Sequence, residues 1–150
     1  MAQAASDLWF NFVRAHRSVI REIERRLAAD GLPAYAWYDA LWGIESGPNG
    51  MRRMHELADV MVIERYNLTR LVDRLEAEGL VERRPTEADG RGSIACITSK
   101  GKTLRKRMWK VYEGAVQELF LSQFDAAGQP AFAAALEQAR LVANASAEGQ

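Results

Sequence analysis

Apolar residues recur along most of this chain at the three-to-four-residue spacing of amphipathic helices. Leu8, Phe12, Val13, Val19, Ile20, Ile23 and Leu27 mark a first helix, with Ser6 or Asp7 as its N-cap and Gly31 as its stop. A second opens after Pro33, carries Tyr35, Trp37, Tyr38, Leu41, Trp42 and Ile44, and breaks at Ser-Gly-Pro-Asn-Gly, residues 46–50. Met54, Leu57, Ala58 and Met61 fit a short third helix. A fourth, from Glu64 to Glu78, sets Leu68, Leu71, Val72 and Leu75 on one face, and Gly79 closes it.

The pattern then changes. Residues 80–84 (Leu-Val-Glu-Arg-Arg) and 93–98 (Ser-Ile-Ala-Cys-Ile-Thr) are short and β-prone, and the Pro-Thr-Glu-Ala-Asp-Gly-Arg-Gly between them has the residues of a hairpin tip. Thr98 or Ser99 caps a long helix from about Lys100 to Phe124, with Leu104, Met108, Val111, Tyr112, Ala115, Leu119 and Phe120 on one side. Gly128 and Pro130 interrupt it. A last helix carries Phe132, Ala135, Leu136, Ala139 and Val142 before a polar tail, residues 144–150, expected to fray. The predicted fold is mainly α with a small β-hairpin wing: a winged helix-turn-helix lobe at 33–98, with helices at 1–30 and 100–145 left for dimerisation, in one domain of 150 residues.

Charge sharpens this picture by exclusion. Lys plus Arg and Asp plus Glu both number 20, so no global positive field draws the chain to nucleic acid, and any such affinity has to come from a local patch. Cys96 is the single cysteine and only two histidines are present, which argues against a disulfide framework, a zinc cluster or a transition-metal sensor. No segment reaches the roughly 18 consecutive apolar residues of a membrane span, and the N-terminus lacks a signal-peptide pattern. A cytoplasmic protein without cofactor or membrane attachment is expected. No nucleophile with an oriented base and no Gly-rich phosphate loop is evident, so enzymatic activity is not expected.

The local patch is found at residues 65–91. Two short helices joined by a tight turn, the second followed by a hairpin with an arginine at its tip, is the order of a winged helix-turn-helix. At about 100° per residue, the face of the fourth helix opposite its leucines carries Tyr66, Arg70 and Asp73, flanked by Asn67, Thr69 and Arg74. In a helix docked in a major groove, Arg65, Tyr66, Asn67 and Thr69 are placed to read bases, and Arg70 and Arg74 to meet phosphate. Arg91, between Gly90 and Gly92, suits a minor groove, with Asp89 able to hold its guanidinium. Arg83 and Arg84 lead into the wing, where strand alternation turns only one of them toward the fourth helix; Arg84 is taken with the DNA-binding set. The competing reading is a solvated face on which Arg70 pairs with Asp73 and Arg74 with Glu78.

Residues 57–101 resemble the multiple-antibiotic-resistance regulator (MarR) family. The resemblance rests on Leu-Thr-Arg-Leu-Val-Asp-Arg-Leu-Glu-Ala-Glu-Gly-Leu-Val-Glu-Arg-Arg (68–84), on Asp89 and Arg91 of the wing, and on Ile97, Thr98 and Gly101 after it, with a weaker match at 37–44. It implies a homodimer on a pseudo-palindromic operator in double-stranded DNA, usually a repressor released by a small ligand. The chain departs from the family's pattern in the turn, where Val62 stands for a common Gly, and at the helix cap, where Glu64 stands for Ser or Thr. Apolar helices at both ends independently call for a partner surface.

The resemblance places ligands in a cleft between the first two helices, the long helix and the winged lobe. Its candidates here are Trp9, Phe12, His16, Trp37, Tyr38, Asp39, Trp42 and Met51, an aromatic set suited to a flat phenolic or heteroaromatic compound, although such stripes also serve as ordinary core. His16 falls on the apolar side of the first helix, as a core or interface histidine would. No lysine or arginine lies between Asp39 and Gly50 to hold an anion. The cations Lys100, Lys102, Arg105, Lys106, Arg107 and Lys110 read as a solvated face. Two other readings stay open: a winged-helix domain used for protein contacts, and a constitutive regulator with no ligand response.

Overall fold

The structure, a computed structural model, describes residues 2–61, 67–86 and 92–149. Among these residues six α-helices and three strands follow in the order α1 (Ala2–Ala29), α2 (Tyr35–Glu45), β1 (Met51–Arg53), α3 (Met54–Val60), α4 (Leu68–Ala77), β2 (Val81–Pro85), β3 (Ser93–Ile97), α5 (Ser99–Leu119) and α6 (Gln129–Glu148). Contacts divide the chain into two units, residues 1–115 and 116–150. In the second unit Phe124 packs on Phe120 and on Phe132, with ring centroids 5.0 Å apart in each pair.

The elements end where local chemistry stops them. Gly79, at φ +73°, adopts the left-handed conformation that closes α4: its N–H donates to the Glu76 carbonyl, and that of Leu80 to the Leu75 carbonyl, both at 2.9 Å. Gly31 closes α1 with the same pair of bonds, to Ala28 and Leu27. The Thr98 hydroxyl caps α5, accepting from the Gly101 N–H at 3.1 Å. Several boundaries differ from the sequence expectation. α1 begins at Ala2, so Ser6 and Asp7 lie inside it rather than capping it. α4 begins after Asn67, whose φ of −141° is not helical. α5 stops at Leu119, Pro130 sits in the first turn of α6, where a missing N–H costs nothing, and α6 continues through the polar tail to Glu148.

One strand has no sequence signature. β1 is three residues long and pairs antiparallel with β3 (Met51 with Cys96, Arg53 with Ile94), giving a sheet of order β1-β3-β2 instead of an isolated hairpin. Arg52 locks β1 to α2 through its guanidinium, which donates to the Gly43 carbonyl at 2.9 Å and the Ser46 hydroxyl at 3.2 Å. The core joins Ala40, Leu41 and Ile44 of α2 to Leu57 of α3, Val72 and Leu75 of α4, and Val81 and Ala95 of the sheet. This core fixes the attitude of α4, because its apolar stripe is wholly buried at Val72 and Leu75 while the other side faces solvent.

Candidate nucleic-acid interface

Asn67, Thr69, Arg70, Asp73 and Arg74 are all exposed on or just before α4. The acids on this face have a partner the sequence reading did not give them. Arg83 of β2 reaches α4, its guanidinium binding the Asp73 carboxylate and the Glu76 carboxylate, the latter at 3.2 Å, while its backbone N–H donates to Glu76 at 2.8 Å. These bonds from Arg83, the backbone one first, hold the Glu76 carboxyl below the usual carboxylate range. The pairs of the competing reading, Arg70 with Asp73 and Arg74 with Glu78, are not formed: Asp73 is engaged across the lobe, and Arg70 and Arg74 make no ion pair with any described residue. Among the described residues, two arginines are thus left without an acidic partner on the outer side of a helix whose inner side is core.

Of the two wing arginines, Arg83 is the one turned to α4. Alternation puts Arg84 on the other face of the sheet, beside Ile94 and in the same cross-strand row as Arg53 of β1. Its guanidinium lies 3.4 Å from Glu82 with both side chains well exposed, a contact of little energetic weight. Arg65, Tyr66, Asp89 and Arg91, and the turn positions Val62 and Glu64, lie outside the described residues.

A recognition-type helix and a β2–β3 hairpin follow in the order read from the sequence, with β1 added to the sheet, and comparison with known proteins agrees. The MarR family model matches residues 31–92. Along nearly its whole length the chain is similar to Sco3205, a MarR family transcriptional regulator from Streptomyces coelicolor solved in complex with DNA: 26% identity, TM-score 0.82, covering 97% of this chain and 89% of that one. Residues 31–92 are thus those of a MarR family domain, and the fold over nearly the whole chain is that of MarR family regulators. Its fold also matches AbsC, a MarR family regulator from the same organism, at 21% identity and TM-score 0.83, covering 93% of this chain and 94% of that one. Among curated proteins it is similar to the transcriptional activatory protein BadR of Rhodopseudomonas palustris, 30% identical over 112 residues; the match takes in 73% of this chain and 60% of that protein's length.

The residues named for a ligand cleft lie on three elements, α1 (Trp9, Phe12, His16), α2 (Trp37, Tyr38, Asp39, Trp42) and β1 (Met51). Trp9 and Phe12 pair with each other, centroids 6.2 Å apart, on the exposed first half of α1, and His16 is exposed on the same helix rather than in a core. Met51 is in β1 opposite Cys96, and Trp37 packs against the lobe core. Tyr38, Asp39 and Trp42 remain near one another on α2, where Tyr38 joins rings the cleft prediction omitted: Tyr35, Trp109 and Tyr112. The Tyr35 and Tyr112 hydroxyls are 3.1 Å apart. Tyr38 stacks on Trp109 with centroids 5.9 Å apart, and the other ring pairs are tilted, 5.0 to 6.0 Å apart. The spacing of Arg105, Trp109 and Tyr112, one face of α5, is the signal that would have found them.

Arg105 is not on a solvated face. It is mostly buried, bidentate to Glu45 at 2.6 and 3.1 Å and 5.3 Å from the centre of the Trp42 ring. The cation missing between Asp39 and Gly50 is supplied by a helix sixty residues on. Among the described residues no group of three His, Cys, Asp or Glu is arranged to hold a metal, and no helix is long and apolar enough to cross a membrane.

The tyrosine cluster makes a spectroscopic prediction. Burial pushes the Tyr38 phenol up to about 12 and, with the Tyr112 hydroxyl bond, raises Tyr35 further. At pH 11 the folded protein should show between one and two fewer ionised tyrosines by absorbance near 295 nm than the same protein in denaturant. Because the folded phenols hold their protons more tightly, their contribution to stability is complete below pH ~10 and declines as pH rises toward 12. Equal titration of folded and unfolded protein would contradict the packing of this cluster.

Proposed function

We propose that this chain is a DNA-binding transcriptional regulator that acts as a homodimer on a pseudo-palindromic operator, as a repressor released by a small aromatic ligand. The observation that carries the DNA-binding part is the open charge of Arg70 and Arg74 on the outer side of α4 while Arg83 engages the acids beside them. In this reading the start of α4, with Arg65, Tyr66, Asn67 and Thr69, enters the major groove, Arg70 and Arg74 meet phosphate, and Arg91, oriented by Asp89, enters the minor groove.

Dimerisation is supported by apolar surface that a lone chain would leave wet. The first half of α1 exposes Leu8, Trp9, Phe10, Phe12 and Val13, and α6 separately exposes Leu141 and Val142. A dimer turns two modest lobes into one specific reader of DNA, which is how a chain of zero net charge reaches useful affinity.

The test is titration of a promoter fragment at several salt concentrations. Arg70→Ala and Arg74→Ala should each weaken binding across sequences and lower the salt slope by about 1, and Arg91→Ala should cost about 1 to 3 kcal/mol. Unchanged isotherms for all three, with the protein folded and dimeric, would favour a protein-contact role for the lobe. The sign of regulation has its own reading: BadR is named an activatory protein, so a reporter fused to the bound promoter should be assayed with and without the chain. Reporter output that falls when the chain is removed would replace repression by activation.

A further inference from the structure

The side of α1 turned away from its apolar stripe carries Arg14, Arg17, Ser18 and Arg21, all exposed, around a shallow recess of about 270 Å³. At about 100° per residue the three arginines are centred about 140° from Leu8, Trp9, Phe12 and Val13, and nearly as far from the buried Ile23 and Leu27. A second copy seated on the apolar stripe therefore leaves them open. Of the large exposed apolar residues of α1, only Phe10 falls in line with the arginines, one turn before Arg14 and 59% exposed. The charges of this row find no acid among the described residues. Arg14 and Arg17 have no acid three or four positions away in either direction. Arg21 has Glu24, but both of that carboxylate's oxygens accept the Tyr35 N–H, at 3.1 and 3.2 Å, and Glu22 is held by Arg25 and Arg26. None of the three makes an ion pair with a described residue. Arg14 with Arg17, and Arg17 with Arg21, set like charges at the spacing where they repel.

We propose that this side of α1 binds a nucleoside triphosphate, its phosphates between Arg14, Arg17 and Arg21 and its base on the Phe10 ring. Guanidinium forks match phosphate oxygens in pairs, and the Ser18 hydroxyl in the same recess adds a donor. The row from Arg14 to Arg21 rises about 10 Å along the helix, longer than a triphosphate, so the outer arginines close on the anion from its two ends. Bringing the phosphates in removes the repulsion that the free row carries. Phe10 lies about 6 Å beyond Arg14, within reach of a base joined to those phosphates through its ribose, and an exposed ring stacks on any base. An acidic peptide would neutralise the arginines but leave Phe10 unused. Nor does the row continue as a track for a nucleic-acid strand, because the next cation along that side, Arg25, is spent on Glu22 at 2.7 and 2.8 Å. The charge and the ring together describe one nucleotide.

Calorimetry of the full chain, without DNA or magnesium, tests the site with ATP, inorganic tripolyphosphate, adenosine and oligothymidylate as probes. ATP should bind about tenfold tighter than tripolyphosphate, which lacks the base, and adenosine, which lacks the charge, should bind more weakly still. Arg17→Gln should weaken ATP about tenfold, while Arg17→Lys, which keeps the charge, should retain part of the loss. Phe10→Leu should weaken ATP about fivefold and leave tripolyphosphate unchanged, a split that a merely structural role of the ring would not give. Both residues are exposed, so the variants are expected to fold as the parent does, which thermal melts check. Arg70→Ala, on the winged lobe, should leave ATP binding as it is. No heat at millimolar ATP, equal affinity for tripolyphosphate, indifference to Arg17→Gln, or loss of ATP binding in Arg70→Ala would each overturn the proposal. An Arg17-dependent affinity for oligothymidylate above that for ATP would also overturn it, and would give the surface to single-stranded nucleic acid instead.

Discussion

A Gly101→Ala variant is expected to lose about 3 kcal/mol of stability or more, although alanine is the better helix former by about 1 kcal/mol. Gly101 lies in the first turn of α5, where a Cβ would stand 2.2 Å from the Leu80 carbonyl oxygen and 2.9 Å from the Ile97 side chain. The oxygen cannot yield. It accepts the Thr98 N–H at 3.1 Å, and the Thr98 hydroxyl donates to the neighbouring Gly79 carbonyl at 2.7 Å, so the start of α5 is stitched to the end of α4. Relief requires α5 to lift away, which breaks those bonds and exposes Leu80. Gly114→Ala on the same helix, with nothing within 4 Å of the added carbon, should instead stabilise by about 0.5 to 1 kcal/mol. Urea midpoints of the two variants check the pair; equal shifts would show that the close approach at Gly101 is not made.

Leu75→Ala should cost about 2 to 5 kcal/mol. Leu75 is completely buried among Leu41, Leu57, Leu80 and Val81, and its carbonyl also receives the N–H that closes α4, so the helix has little freedom to collapse into the cavity. Removing its side chain unseats the helix that carries Arg70 and Arg74. Operator affinity should then fall in proportion to the unfolded fraction and recover at lower temperature, whereas Arg70→Ala should melt like the parent and bind weakly at every temperature. Measuring both variants by denaturation and by DNA titration separates the scaffold from the contact. A Leu75→Ala protein as stable as the parent would remove α4 from the core.

Much of this architecture was legible because it is written in short-range terms. The alternation of Leu68, Leu71, Val72 and Leu75 follows from helical period alone, and the stops at Gly31 and Gly79 from the left-handed conformation each adopts. Thr98 as a cap needed only the residue three positions on. β1 could not be read: three residues, two of them arginine, have no strand pattern of their own and become a strand only because β3 offers an edge and α2 a carbonyl for Arg52. The arrangement of the aromatic set was not legible for a related reason. Helical spacing said that Trp9, Trp37, Tyr38 and Trp42 belong to faces, but not which faces meet.

The sequence by itself determined the helices, their buried stripes and the β2–β3 hairpin of the wing. These depend on contacts within a few residues, where geometry is nearly fixed by the backbone. Only the tertiary structure decided which charges are spent. Arg83 takes Asp73 from ten residues away and leaves Arg70 and Arg74 open, and Arg105 is buried against Glu45 across sixty. An arginine has several acids within reach along the chain. Its choice among them is set by where the core fixes the two backbones, and that position is a property of the whole lobe.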